Sequence, residues 1–132
     1  MSDRGFRVLA LATAALFAAM LLAGPLSCGG VWRACSFDAQ VLPYGVAEAR
    51  TYLTAIGPDR WRYLWIVQPL DLIFPALLCL VFREAFARMA PARLAHRLGR
   101  LAVAEAGVDY LENALIRAML KRPDGDFPAL LA

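Results

Sequence analysis

Residues Val8 to Leu26 form a run of nineteen positions without a single charge. As a helix, at 1.5 Å per residue, the run covers about 28 Å, close to the roughly 30 Å hydrocarbon thickness of a bilayer. A second apolar run, Leu64 to Phe82, is interrupted only by Gln68 and Asp71. Two such runs in 132 residues leave little chain for anything else. The apolar fraction is 61 %, against about 45–50 % in soluble globular domains. A small soluble domain buries only about 60 % of the surface of its unfolded chain, so it has nowhere to hide this excess. The same fraction excludes intrinsic disorder. One membrane domain covering residues 1–132 is expected.

Charge orients it. Arg4 and Arg7 precede the first run, and Arg83, Arg88, Arg93, Arg97 and Arg100 follow the second with Glu84 as the only acid among them. Basic residues beside apolar spans stay on the cytoplasmic side. The expected arrangement is an N-terminus in the cytoplasm, spans at about 8–26, 64–82 and 101–120, an outer loop at 28–60 and a cytoplasmic loop at 83–100. The location expected is a bacterial inner membrane. The net charge of +3 is explained by these flanks, and no basic stripe with interleaved aromatics points to nucleic acid. Trp61, Tyr63 and Trp65 stand at the start of the second run as candidate interface anchors, since amphipathic aromatics favour the headgroup level.

The fold class follows: all-α, because every backbone group inside lipid must be satisfied by helix or closed barrel. It is a multi-pass transmembrane helical bundle with three spans. Ala15, Ala19 and Ala23 recur every fourth residue of the first span and would let another helix approach. Within the outer loop, Val46 to Ile56 reads as a short amphipathic helix stopped by Gly57-Pro58. The third span, Leu101 to Leu120, contains Glu105, Asp109, Glu112, Asn113 and Arg117, and either inserts beside partner helices or lies flat at the interface. On a helical wheel Glu105, Asp109, Glu112 and Ile116 share one face, and Ala104, Val108, Leu111 and Leu115 another. Phe127 to Ala132 has the character of the first turn of a truncated fourth span. A signal peptide, or a lipoprotein site at Cys28, is an alternative use of the first run.

The candidate site is an intramembrane polar cluster: Gln68, Asp71, Glu105, Asp109, Glu112 and Asn113. If the second and third spans are antiparallel neighbours, Asp71 lies level with Asp109, Glu112 and Asn113. Ionisable groups inside a membrane are costly and mark functional positions by default. Such a set could relay protons or bind a cation. Equally it could be a polar glue, with Asp71 on Asn113, Gln68 on a carboxylate and Arg117 on an acid. Pro69 and Pro75 flank Asp71 and leave backbone carbonyls without their usual donors.

Cys28 and Cys35 share the outer loop at a spacing compatible with a local disulfide, and the pair lacks the Cys-x-x-Cys redox pattern. Cys79 lies inside the second span as a packing residue. His96 is the single histidine. No metal site, cofactor or catalytic set is expected, and the phosphate-binding loop pattern is missing around Gly29-Gly30.

Asp71-Leu72-Ile73-Phe74-Pro75 and Asp109-Tyr110-Leu111-Glu112-Asn113, with the outer-loop helix and the Arg/aromatic approach to the second span, resemble a group of small bacterial four-span integral membrane proteins of unassigned function. The likeness covers roughly residues 44–128. It implies the architecture and a special status for Asp71, Asp109, Glu112 and Asn113, and it implies no reaction. Three functions are weighed. The first is a non-enzymatic helical-bundle subunit, with the lipid bilayer and either a second copy or another membrane subunit as partners. The second is a proton- or cation-translocating component using Asp71, Asp109 and Glu112. The third is a membrane thiol–disulfide oxidoreductase using Cys28 and Cys35.

Overall fold

A computed structural model describes residues 1–27, 53–57 and 60–121. The described chain is all-helical, with three long helices: α1 (Asp3–Ser27), α2 (Arg60–Met89) and α3 (Ala92–Lys121). Of these, α1 and α2 are long and apolar enough to cross a membrane.

Helix α1 begins where Ser2 caps it: its Oγ accepts from the Gly5 N–H at 3.1 Å, and Asp3 places a negative charge on the positive end of the helix. Helix α2 runs antiparallel to α1. Their contact is marked by the stacked rings of Phe17 and Phe74, with centroids 5.5 Å apart. At the other end Arg88 gathers the N-terminus. It donates to the Asp3 carboxylate and to the Met1 carbonyl at 2.8 Å, lies 3.7 Å from Glu84, and rests over the Phe6 ring.

Within α2, residues Tyr63–Val67 form a π-helical turn, and the Gln68 N–H bonds back to the carbonyl of Tyr63 five residues earlier. Pro69 supplies the reason. Its ring needs room beneath the preceding turn and it has no N–H to offer, so the ladder widens just before it.

The stretch 83–100, expected as a loop, is helical except at its middle. Helix α2 continues to Met89 and α3 begins at Ala92. Ala90 is extended (φ −119°, ψ 152°), as the residue before a proline prefers. The Ala90 N–H closes α2 on Phe86, and the Pro91 carbonyl receives Ala95 to open α3. Arginine is a good helix former, so a run of arginines is no obstacle to helix.

Two apolar clusters hold the bundle. One gathers Ala23, Tyr63, Leu64, Val67, Ile116, Met119 and Leu120 from all three helices, together with Leu53 and Ile56. Leu53 and Ile56 belong to a helical turn ended by Gly57 at φ +37°. Only glycine takes that left-handed conformation without strain, and it makes the stop expected there. The remainder of the 46–56 helix lies outside the described residues. The second cluster, Cys79 against Ala102 and Ala106 with Phe86 beside them, lies nearer the α2–α3 connection. Small side chains there let the two backbones come close.

The faces of α3 are sorted in an unusual way. Its packed face carries Ala102, Ala106, Asn113, Ile116 and Leu120, with Asp109 half-buried among them. Leu101, Ala104, Val108 and Leu111 point outward, about 140° round the helix from that face at 100° per residue. Helices α1 and α2 are turned outward too. Only 11 % and 28 % of their apolar windows are buried.

Candidate functional site

Between the two apolar clusters lies a polar layer shared by α2 and α3. On α2, Gln68, Asp71 and Pro75 are all buried, at i, i+3 and i+7, which places them on one face. Asn113 faces them from α3 and is buried as well.

Pro75 makes the layer possible. In a regular helix the Asp71 carbonyl would accept from the N–H of residue 75, and proline has none. The Asn113 Nδ2 donates to that carbonyl at 3.3 Å. In return, the Gln68 Nε2 donates to the backbone carbonyl of Asn113 at 2.9 Å. The other end of the Gln68 amide is used too, since its Oε1 accepts from the Arg117 Nη1 at 3.2 Å. One turn from Asn113 toward the connection, the Tyr110 hydroxyl donates to the Leu72 carbonyl at 2.9 Å. These four hydrogen bonds between described residues cross from one helix to the other. Three of them end on backbone carbonyls, and that fixes the axial register of α3 against α2 as well as their contact.

The residues proposed from sequence fall into two groups. Gln68, Asp71 and Asn113 come together in the buried layer. Glu105 and Glu112 are exposed, and Asp109 is half-buried one turn from Glu105, with which it interacts. The polar-glue pairings expected for this cluster take a different form. Asn113 meets the backbone of Asp71, Gln68 meets the backbone of Asn113, and Arg117 meets an amide. Prolines explain the first change, because a carbonyl stripped of its donor competes for the nearest amide.

The aromatic trio also divides. Trp61 and Trp65 are exposed, the latter at 73 %, whereas Tyr63 is 2 % exposed and belongs to the core. Positions 61 and 65 lie about 40° apart on a helix, and 63 is on the far side. Pro75 frees a backbone carbonyl beside Asp71, as its place in the sequence leads one to expect. Tyr110 joins the layer without being among the expected site residues, and its i, i+3 spacing from Asn113 is the signal that points to it. Thr13 is buried too, but its hydroxyl is spent on its own helix, donating to the Leu9 carbonyl at 2.8 Å.

Cys28 and Cys35 lie outside the described residues, as do residues 127–132. Cys79 is a free thiol in the core. Among the described residues no group of three or more His, Cys, Asp or Glu side chains could hold a metal ion. The layer offers amides, a hydroxyl, a guanidinium and one buried carboxyl side chain. The hydrogen bonds of Gln68, Tyr110, Asn113 and Arg117 given above join helix to helix, which is adhesion chemistry. Searches among protein families, curated proteins and solved structures find no match to the chain.

Proposed function

We propose that this chain is a non-enzymatic subunit of a multi-pass membrane bundle, with its N-terminus in the cytoplasm and α3 inserted as a third span. The observation that carries the reading is the interlock of α2 and α3, in which Asn113 caps the Asp71 carbonyl that Pro75 leaves without its helical donor and Gln68 binds the Asn113 carbonyl in return. Such a lock is worth most where no water competes for the same groups. Two further features support insertion. The apolar windows of α1 and α2 are mostly unburied, unlike the core helix of a soluble protein. Helix α3 directs leucines and valines outward and keeps its amide inside, the sorting that lipid favours. Glu105 and Glu112 lie on the flank between those faces, where snorkelling or a partner helix can accommodate them.

The partner would be a second copy or another membrane subunit. Ala15 and Ala19 are exposed on α1 and leave room for a close helix. A bacterial inner membrane is the location that the arginine distribution favours. A proton- or cation-relay reading draws on one observation, the burial of the Asp71 side chain at 5 % exposure.

Asp71→Asn separates the two. It keeps the shape and the backbone carbonyl that Asn113 uses, while removing the ionisable group. A structural subunit keeps its assembly state and thermal stability in detergent, within about 1 kcal/mol. A relay loses a pH-driven flux in proteoliposomes while still folding. A reporter active only outside the cytoplasm, fused after Lys121, tests the third span: activity supports insertion, and silence from a stable fusion refutes it.

A further inference from the structure

At the connection end of the bundle, α2 and α3 leave an open groove of about 470 Å³. Arg83, His96 and Arg100 line it, along with Gly99, Val103 and Ala104. The volume is in the range of small-molecule clefts. Its charge is not neutralised from within. Glu84 is the one acid between residues 83 and 100, and its carboxylate is taken by Arg88 and the N-terminal amine. Among the described residues no acid pairs with Arg83 or Arg100.

Gly99 keeps the groove open. A Cβ there would meet nothing closer than the Arg83 Cγ at 3.7 Å, so the position has space that a larger side chain would fill. The groove is also polarised along its length. From His96 to Ala104, α3 rises about 12 Å. The cationic groups lie toward the connection, just past Phe82 at the end of the apolar run. Val103 and Ala104 lie on the side toward the middle of that run. A ligand matching this pattern has a phosphate at one end and hydrocarbon at the other.

We infer that the Arg83–His96–Arg100 groove is a phosphate site that holds the headgroup of an anionic phospholipid, with the start of its acyl chains along Val103 and Ala104. Guanidinium groups suit phosphate through paired N–H donors. Two arginines from different helices would be bridged by one headgroup, so the lipid would also brace α2 against α3. The proposal draws on the membrane reading above only for the source of the phosphate.

The test uses the full chain in phosphatidylcholine nanodiscs carrying a minor fraction of phosphatidylglycerol, followed by native mass spectrometry of the lipids retained after extraction into detergent. The wild type is expected to keep phosphatidylglycerol above its bulk share. Arg83→Gln with Arg100→Gln should reduce that enrichment, roughly five-fold for each arginine removed. Gly99→Leu should reduce it with both charges present, which covers the case in which the charge variant does not fold. Arg93→Gln with Arg97→Gln, which leaves the lining intact, should keep it. An equal loss in that control overturns the site in favour of a diffuse surface potential. Inorganic phosphate at millimolar concentration, added to the protein in detergent, separates the sources. Thermal protection by phosphate as large as that by the lipid overturns the lipid assignment, and this arm reads out whether or not the chain spans a membrane. No enrichment in the wild type overturns the proposal outright.

Discussion

Asn113→Leu should destabilise the bundle by an amount that depends on residue 75. The Asn113 Nδ2 lies 3.3 Å from the Asp71 carbonyl, longer than the usual separation of about 2.9–3.0 Å. The bond itself is therefore modest, and most of the cost comes from a buried carbonyl left without a donor. That penalty is about 1–3 kcal/mol in a protein interior, and hydrogen bonds between membrane helices average about 0.6 kcal/mol with a maximum near 1.7. A loss of about 1–1.5 kcal/mol is expected. Pro75→Ala restores an N–H at the position that normally serves Asp71. In that background the carbonyl has its own helical donor, and Asn113→Leu should cost about 1 kcal/mol less. The comparison is a double-mutant cycle read by reversible unfolding in mixed micelles, followed by circular dichroism as the denaturing detergent fraction rises. A coupling below about 0.3 kcal/mol, the ordinary scatter of independent sites, would refute the reasoning that proline created the acceptor.

Other perturbations probe the rest of the frame. Ile116→Ala removes a side chain that is 1 % exposed at the meeting point of all three helices; a loss of about 2–5 kcal/mol in the same micelle titration is expected, and a change under 1 kcal/mol would show that the cluster is not packed. Arg88→Ala frees Asp3 and the N-terminal carbonyls and leaves Glu84 with the N-terminal amine. Because Asp3 is largely exposed, global stability should fall by no more than about 1 kcal/mol, while amide exchange at residues 3–8 quickens; unchanged exchange would sink the idea that Arg88 ties α1 down. Gly57→Ala places a side chain at φ +37° and should cost about 1 kcal/mol by the same measurement, with no cost if the turn relaxes.

Much of the bundle is legible in the chain because bilayer thickness is a ruler. Val8–Leu26 and Leu64–Phe82 are long and apolar enough that α1 and α2 could be drawn from composition alone. The tight reversal at Ala90–Pro91 was legible in principle from the proline, yet five arginines made the stretch look like loop. Charge reports on which side of a membrane a segment lies, and says little about whether its backbone is helical. Gln68, Asp71 and Asn113 were found as polar letters in apolar words. The carbonyls freed by Pro69 and Pro75 are legible as well, but the pairings are not, because which amide reaches the Asp71 carbonyl depends on how α3 is set against α2. Glu105 and Glu112 are just as polar as Asp71 and sit outside the layer. Only the rotation of α3 against α2 separates them, and that is a tertiary choice.

The π-helical turn at Tyr63–Val67 acts as a phase shifter. Trp61 just before it and Trp65 within it share an outward azimuth, and downstream Gln68, Asp71 and Pro75 share an inward one. One surplus residue in the widened turn sets the angle between the two sectors. Deleting a single residue there would restore an ordinary helix, shorten it by about 1.5 Å and swing one sector past the other by roughly 100°. The tryptophans would then lose their outward heading or the glutamine its place in the layer. Within these five positions the number of residues matters as much as their identity.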